Sequence, residues 1–489
     1  MGNSVDAAGL PTELGAVDYL LHRGEANPRT RSGIMGLEVL DATPDWNRFR
    51  SRFESVSRRV LRLRQKVVVP TLPTAAPRWV VDPDFNLDYH VRRVRVPEPG
   101  GLREVLDLAE LSLQSPLDIS RPLWTATLVE GLADGRAAAL MHISHAVTDG
   151  VGGIEMFGEI YDLERNPPAK SVPPQPVPQD LSANDLMRDG INQLPGALIG
   201  GVRDAVVHAL SLAGRTVRDP WSAAAGVIGY ARSGSRVMRQ AAAPSPLLCR
   251  RSLTTRTQAL DIGLADLHRA AKAGGGSIND AYLSGLSGAL GRYHRALGVP
   301  IATLPMAVPV NLRVDADPAG GNRFTGVNLA APVGVIDPVD RMKRIRKQMT
   351  ERREEPAMDL IGSVAPVLSV LPTPVLETIT HSVVAADVQA SNVAFYPGDT
   401  YLAGAKVLRH YGLGPLPGVA MMVVLISRGG ACTITVRYDR AAVRDEKLFA
   451  ACLVEGFDEI LRLAGEPAPH CTPVSFDWPP ATPQPVAGS

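Results

Sequence analysis

The sequence predicts an α/β protein of two domains, and three observations carry that reading. The chain has 489 residues, and single hydrophobic cores stop growing at roughly 250–300 residues. Short apolar runs flanked by turn residues alternate with helical stripes in both halves, the pattern of an α/β fold. Between the halves, residues 166–180 hold Pro167, Pro168, Pro173, Pro174, Pro176 and Pro178, an extended linker with no core of its own. The expected division is therefore a first domain over 1–165, a linker and crossover over 166–251, a second domain over 252–465 and a Pro-rich, irregular tail over 466–489.

The elements follow from local periodicity. Residues 45–63 carry Trp46, Phe49, Phe53, Val56, Val60 and Leu63, close to one helical stripe. Residues 101–113 repeat the pattern with Leu102, Val105, Leu106, Ala109 and Leu113. Residues 125–130 and 137–143 are short apolar runs and read as strands, after which the chain turns at 144–150 and enters a helix over 153–163. In the second half, 278–297 is a helix with Ser277 as N-cap. Strands are expected at 304–310, 327–333, 419–426 and 432–438, and a closing helix at 446–463. No fixed-period repeat is present.

The crossover from 181 to 251 has nine Arg against four Asp, with apolar residues at helical spacing between them. Two readings fit it: a helical crossover packed on both domains, or a basic amphipathic surface resting on anionic lipid.

Charge and cysteine usage exclude several function classes. Lys plus Arg is 51 against 50 Asp plus Glu, so the chain lacks the basic excess of a nucleic-acid binder. Seven of the basic residues are Lys and the other 44 are Arg. Cys249, Cys432, Cys452 and Cys471 form no Cys-x-x-Cys pair, which fits a reducing cytosol and no disulfide framework. The N-terminus has no basic region followed by an apolar one, so no signal peptide is expected. The charge-free stretch 360–376 is broken by Pro366, Pro372 and Pro374, and 415–427 is too short to span, so no transmembrane helix is expected.

The sharpest local feature is the passage from Leu140 to Gly150, where His145 follows an apolar strand and Thr148-Asp149-Gly150 follows His145. Imidazole at the mouth of a sheet can take a hydroxyl proton during acyl transfer and return it to the leaving group. The local residues also fit a packed or surface histidine. His142 and His145 lie three apart, but no third ligand stands at a familiar zinc spacing and no His-Glu-x-x-His is present. No Gly-x-Ser-x-Gly elbow is present either.

Ser144 to Gly150 resembles the His-His-x-x-x-Asp-Gly signature of the bifunctional wax ester synthase/acyl-CoA:diacylglycerol acyltransferase family, with Ser144 in place of the first His. Further motifs agree in order: Pro122-Leu123-Trp124, Ser277-Ile278-Asn279-Asp280-Ala281, Val308 to Arg313, Gly321-Asn322-Arg323, Ser391-Asn392-Val393 and Tyr401 to Ala405. The resemblance implies two domains like chloramphenicol acetyltransferase, with the active-site channel between them. It implies His145 as general base, with no acyl-enzyme, no metal and no cofactor beyond acyl-CoA as substrate. Asp149 and Gly150 are then structural, Asp149 pairing with Arg313. Asn279 and Asp280 either face the substrate or oxyanion or cap their helix, and Pro122, Leu123 and Trp124 shape the strand behind the site. The small residues Ala281, Gly285, Gly288 and Ala289 leave room for an acyl tunnel.

The implied activity joins a long-chain acyl-CoA to diacylglycerol or a long-chain fatty alcohol, giving triacylglycerol or wax ester. The implied location is the cytoplasm, peripherally on the inner membrane or lipid droplets, with no nucleic-acid partner. Two alternatives stand beside this reading: a weakly active or non-catalytic lipid-droplet or membrane-surface homologue, supported by Ser144 and the basic 181–251 stretch, or an acyltransferase acting on a complex lipid alcohol, since such enzymes share the His-x-x-x-Asp core.

Overall fold

The computed structural model describes residues 12–72, 74–147, 158–168, 171–192, 241–311, 324–353 and 386–474. Two mixed sheets organise it. The first contains β1 (Gly33–Leu40), β4 (Val91–Arg95), β5 (Trp124–Glu130) and β6 (Ala137–Ser144), and it is completed by β11 (Tyr401–Leu402) and β12 (Ala405–Leu413) from far along the chain; the order is β11-β12-β1-β6-β5-β4. A two-stranded ribbon of β2 (Gln65–Val68) and β3 (Arg78–Val81) stands beside it. The second sheet runs β15-β7-β14-β13-β10-β8-β9, from β7 (Thr255–Gly263), β8 (Leu304–Asn311), β9 (Phe324–Ala331), β10 (Val388–Ala394), β13 (Met421–Arg428), β14 (Ala431–Asp439) and β15 (Thr472–Pro473).

Local chemistry accounts for the helix boundaries. The helix Trp46–Arg59 opens where the Asp45 carboxyl accepts from the Arg48 N–H, and it buries Phe49, Phe53 and Val56. Ser277 and Asp280 form a reciprocal capping box on the helix Ile278–Ala296, which satisfies two otherwise orphaned donors. That helix is the spine of the second core and packs along the closing helix Glu446–Leu461.

The small residues of this spine do not open a tunnel. A Cβ on Gly285 would lie 2.8 Å from the Phe457 ring, and one on Gly288 would lie 2.3 Å from Glu459 Oε1. Ala281 and Ala289 are themselves fully buried. Close helix–helix approach consumes the space that smallness provides, so the tunnel expectation at these positions is corrected.

Two further readings change. The expected helix over 153–163 falls largely outside the described residues, but its end is not helical: Asp162 forms a β-bridge with Tyr401, exchanging N–H···O bonds of 2.9 and 2.8 Å. The tail is not wholly irregular, because Thr472 and Pro473 add to the edge of β7 and Cys471 is buried beside them. Most of the basic crossover, residues 193–240, lies outside the described residues. Among the described residues no helix is long and apolar enough to cross a membrane.

The two halves meet along β12. Its edges pair with β1 and β11, while its face packs on β13 and β14 of the second sheet. Thr433 Oγ1 donates to the His410 carbonyl at 2.6 Å, and Tyr411 Oη donates to Asp261 at 2.9 Å. On the helix Leu102–Gln114, the Glu110 carboxyl lies 3.2 Å from Arg437 of β14, both side chains below 10% exposed (6% and 7%). A buried ion pair of this kind fixes the docking of the halves, because removing either partner leaves an uncompensated charge.

Candidate active site

The candidate site begins at the C-terminal end of β6. Alternation along this strand sends His142 to the face covered by the helix Leu102–Gln114, where Ser112 Oγ lies 3.5 Å from its Nδ1. Gly33 on β1, which pairs with Ser144, makes room for the ring: a Cβ there would fall 2.5 Å from His142 Nε2. His142 is 4% exposed, and burial, with the Arg437 and Arg31 charges, lowers its pKa to about 3. It is a neutral, packed imidazole at physiological pH, so it does not shuttle protons there. Among the described residues no group of three or more His, Cys, Asp or Glu is placed to hold a metal ion.

His145 has left the strand. Its backbone N–H donates to the Ser32 carbonyl at 3.3 Å, and the residue is partly exposed although its Nδ1 is buried. Of the two histidines in the motif it is therefore the accessible one.

Ser144, between them, is fully buried. Its hydroxyl donates to Glu25 Oε1 at 2.7 Å and accepts from the Ala146 N–H at 3.2 Å. The same Glu25 oxygen accepts from Ser32 Oγ at 2.9 Å. Glu25 is itself buried, so one carboxyl ties the loop after the helix Ala16–Gly24 to the end of β6. That loop supplies the carbonyl that holds His145. Position 144 thus faces a buried scaffold.

The Pro122-Leu123-Trp124 element backs the strand. The Leu123 carbonyl accepts from the Ser144 N–H at 3.0 Å. Trp124 Nε1 donates to the Leu63 carbonyl at 2.7 Å, and its ring stacks on His90 with centroids 4.7 Å apart. Both Leu123 and Trp124 are buried. Thr148, Asp149 and Gly150, and Arg313 with them, lie outside the described residues, and so does the expected Asp149–Arg313 pair.

In the second half, Asp280 is consumed by its helix cap: its carboxyl accepts from the Ser277 N–H and hydroxyl, both at 2.8 Å. Asn279 is not. Its Oδ1 accepts from Asn392 Nδ2 at 3.3 Å, so two motifs separated by 113 residues meet at one point. From β10 the chain continues to Phe395, which stacks on His410 of β12 at 4.4 Å and meets Tyr161 edge-on. Tyr161 donates to the buried Glu38 carboxyl of β1, and burial beside that carboxyl raises its pKa well above the ordinary phenol value. His410 Nδ1 lies 3.1 Å from the same Glu38 oxygen. This cluster was not singled out from sequence, and its residues come from four separate segments.

The structure also shows which groups are not nucleophiles. Burial pushes the Cys432 thiol up to about 12 and Cys452 up to about 11, and raises Cys471 further. A thiol so raised carries no useful thiolate fraction. Ser245 Oγ lies 2.7 Å from His294 Nε2, but both are fully buried. Ser245 accepts there from the Leu247 and Leu248 N–H groups, a structural staple.

Known proteins match this chain along most of its length. The wax ester synthase/diacylglycerol acyltransferase catalytic domain matches residues 3–282, and the C-terminal domain of the same family matches residues 320–461. A protein of Mycobacterium tuberculosis (strain ATCC 25618 / H37Rv) named "putative diacyglycerol O-acyltransferase" is 75% identical over 491 residues, 100% of both chains. A second so named from that strain is 28% identical over 439 residues, covering 84% of this chain and 88% of its own. Among solved structures, the wax ester synthase/diacylglycerol acyltransferase from Marinobacter aquaeolei VT8 aligns with a TM-score of 0.61 at 20% identity, over 93% of this chain and all of its own. The first condensation domain of the calcium-dependent antibiotic synthetase aligns with a TM-score of 0.58 at 13% identity, over 95% of this chain and 99% of its own. These alignments show the two-domain, chloramphenicol-acetyltransferase-like fold that the sequence motifs implied.

Proposed function

We propose, from the premise that this chain belongs to the wax ester synthase/diacylglycerol acyltransferase family and is an acyl-CoA-dependent acyltransferase of lipid metabolism, that His145 is its general base and that acyl transfer is direct. The acceptor is diacylglycerol, a long-chain fatty alcohol or both. As the acceptor oxygen attacks the thioester carbonyl, His145 takes the hydroxyl proton; as the C–S bond breaks, that proton passes to the CoA thiolate. A thioester is already activated, so the scheme needs no acyl-enzyme.

The observation that carries this reading is the contrast between the two histidines. His142 is packed and held neutral, whereas His145 is partly exposed and pinned through its backbone to the Ser32 carbonyl. Asn279 supplies the second polar group. Its carbonyl oxygen is taken by Asn392, which leaves its amide nitrogen as the donor for the developing oxyanion; such a donor is worth about 10²–10³ in rate. Asp149 serves as scaffold, paired with Arg313. The enzyme works from the cytoplasm on a membrane or droplet surface.

The test is acyl transfer from radiolabelled palmitoyl-CoA to a panel of acceptors. The His145→Ala variant is expected to lose about 10²–10⁴ in kcat, while Ser144→His retains activity. Undiminished transfer by His145→Ala ends the assignment.

A further inference from the structure

CoA carries its nucleotide phosphates at the end opposite the thioester, so an acyl-CoA enzyme needs a cationic recess away from the reacting carbonyl. Two cavities compete for that task. One, of about 310 Å³, lies between the halves and is lined by Arg29, Arg31, Arg251 and Arg437. Its deeper guanidinium groups are already committed. Arg437 is paired with Glu110, Arg251 lies near Asp387, and Arg31 donates to the Glu25 and Gln114 carbonyls.

The other cavity, of about 430 Å³, lies between the turn Gly274-Gly275-Gly276 and the helix Pro338–Arg353. Met342 packs so closely on the turn that a Cβ on Gly274 would lie 1.8 Å from its Cε, and Arg346 donates to the Gly275 carbonyl at 2.6 Å. Gly275 sits at φ +71 with nothing within 4 Å of a Cβ placed there, so backbone lines one wall, while the helix wall carries three cations and one carboxylate, Glu351. Lys343 and Lys347 line it as well. Their acid contacts, Asp340 at 3.7 Å and Glu351 at 3.9 Å, are long, and the lysine side chains are 70% and 77% exposed, so both are free to turn to another anion. In a chain with only seven Lys, two stand four residues apart on the wall of one cavity; ammonium groups are compact point charges suited to phosphate. The N-terminus of the following helix is not part of the case, because Ser277 and Asp280 already cap it.

We infer that this cavity, through Lys343 and Lys347, binds the nucleotide phosphates of the acyl-CoA donor, with Arg346 holding the turn through the Gly275 carbonyl. Gly276 stands three residues before Asn279, so the turn that walls the recess leads into the helix bearing the motif assigned above to the oxyanion, while the lysines stand on a separate helix. The inference rests on the acyl-CoA reading, and the experiment separates the two.

The variant is the double substitution Lys343→Gln/Lys347→Gln in the full chain. With palmitoyl-CoA its KM is expected to rise about 10-fold or more with kcat nearly unchanged, as for loss of two charge-assisted contacts. With S-palmitoyl-pantetheine, which lacks the phosphates, kcat/KM should match wild type. Equal losses on both donors, or no loss on either, would overturn the inference. Adenosine 3′,5′-bisphosphate binding by calorimetry gives a readout independent of turnover: about 10-fold weaker binding by the variant supports the site even if the assigned base is wrong, and equal binding refutes it. Flotation with phosphatidylglycerol vesicles distinguishes a lipid headgroup. A variant that loses vesicle binding but keeps its KM for palmitoyl-CoA would reassign the cavity to membrane phosphate and sink the CoA assignment.

Discussion

Replacing Ser144 by Ala separates scaffold from chemistry at the position where the motif departs from its family. The hydroxyl is fully buried, donates to Glu25 at 2.7 Å and accepts from the Ala146 N–H. Alanine removes both bonds. The Glu25 oxygen keeps Ser32 Oγ at 2.9 Å, so the carboxyl is weakened and not stripped. The Ala146 N–H, buried with its residue, loses its side-chain acceptor. A hydrogen bond lost under these conditions costs about 1–3 kcal/mol. For a folding unit of about 150–250 residues, a loss near 2 kcal/mol lowers the Tm by roughly 4–8 °C. Because the side chain faces Glu25, kcat for palmitoyl transfer should stay within about 5-fold of wild type, against the 10²–10⁴ expected for His145→Ala. Calorimetry and a radiolabel assay on the same preparations decide the matter. A Ser144→Ala protein with unchanged Tm and a kcat loss as deep as that of His145→Ala would make Ser144 part of the proton relay and refute this account.

Other perturbations read out the rest of the architecture. Glu110→Gln leaves Arg437 buried without its carboxylate and should cost about 3 kcal/mol in urea unfolding; a loss below about 0.5 kcal/mol would mean the pair is solvated in solution. Gly33→Ala drives a methyl against the His142 ring and should destabilise by about 1–3 kcal/mol, visible as a lower Tm; a neutral result would show that the ring can swing aside. His22 and His90 have pKa values lowered by burial to about 4, and His142 to about 3. The unfolded chain therefore binds more protons than the native one below about pH 6.5, and stability must fall as pH drops through that value. The expected loss is about 2 kcal/mol per group by pH 5, and a Tm that stays flat between pH 7 and pH 5 would contradict the burial of these rings. Asn392→Ala releases the carbonyl oxygen of Asn279 and should lower kcat about 10-fold while leaving the KM for palmitoyl-CoA near wild type, since only the orientation of a transition-state donor is lost; a rise in KM with kcat intact would move Asn279 to ground-state binding.

Features decided by neighbours in sequence were legible. The cap at Ser277 and the existence of the strand Ala431–Asp439 follow from residues within a few positions of one another, although the strand's polar–apolar alternation did not reveal that both its faces are buried. The helix Pro338–Arg353 escaped notice because charge swamps its stripe, yet Met342, Ile345 and Met349 are buried at helical spacing and could have revealed it. β1 reads poorly because Gly33 and Gly36 interrupt its apolar run, although Gly33 is there to admit His142. The buried polar groups around the site were out of reach for a different reason. Ser144 meets Glu25 across 119 residues, Tyr161 meets Glu38 across 123, and Arg437 meets Glu110 across 327. A lone acidic residue in a sequence carries no sign that a partner so distant will make its burial tolerable.

The same distance explains why β12 matters to the chemistry. A catalytic base and an oxyanion donor act on one carbonyl only if their relative placement is fixed to a fraction of an ångström, and a 1 Å error can cost about 10²-fold. Here the proposed base stands at the end of β6 and the proposed donor at the head of the helix Ile278–Ala296. The linker between the halves cannot hold them in register. β12 does so by belonging to both sides, paired with β1, the neighbour of β6, and packed on β13, the neighbour of β10. Asn392 on β10 then touches Asn279, and Phe395 just beyond β10 stacks back on His410 of β12. Each step in that chain is a packed or hydrogen-bonded contact, so a displacement of one half relative to the other would have to break the packing of β12 on β13 and the side-chain bonds that cross it. The polar cluster of Glu38, Tyr161 and His410 occupies the middle of this path, which gives a physical reason for burying titratable groups where apolar ones would fit. Directional bonds fix orientation as well as distance, and orientation is what two reacting groups on separate domains require.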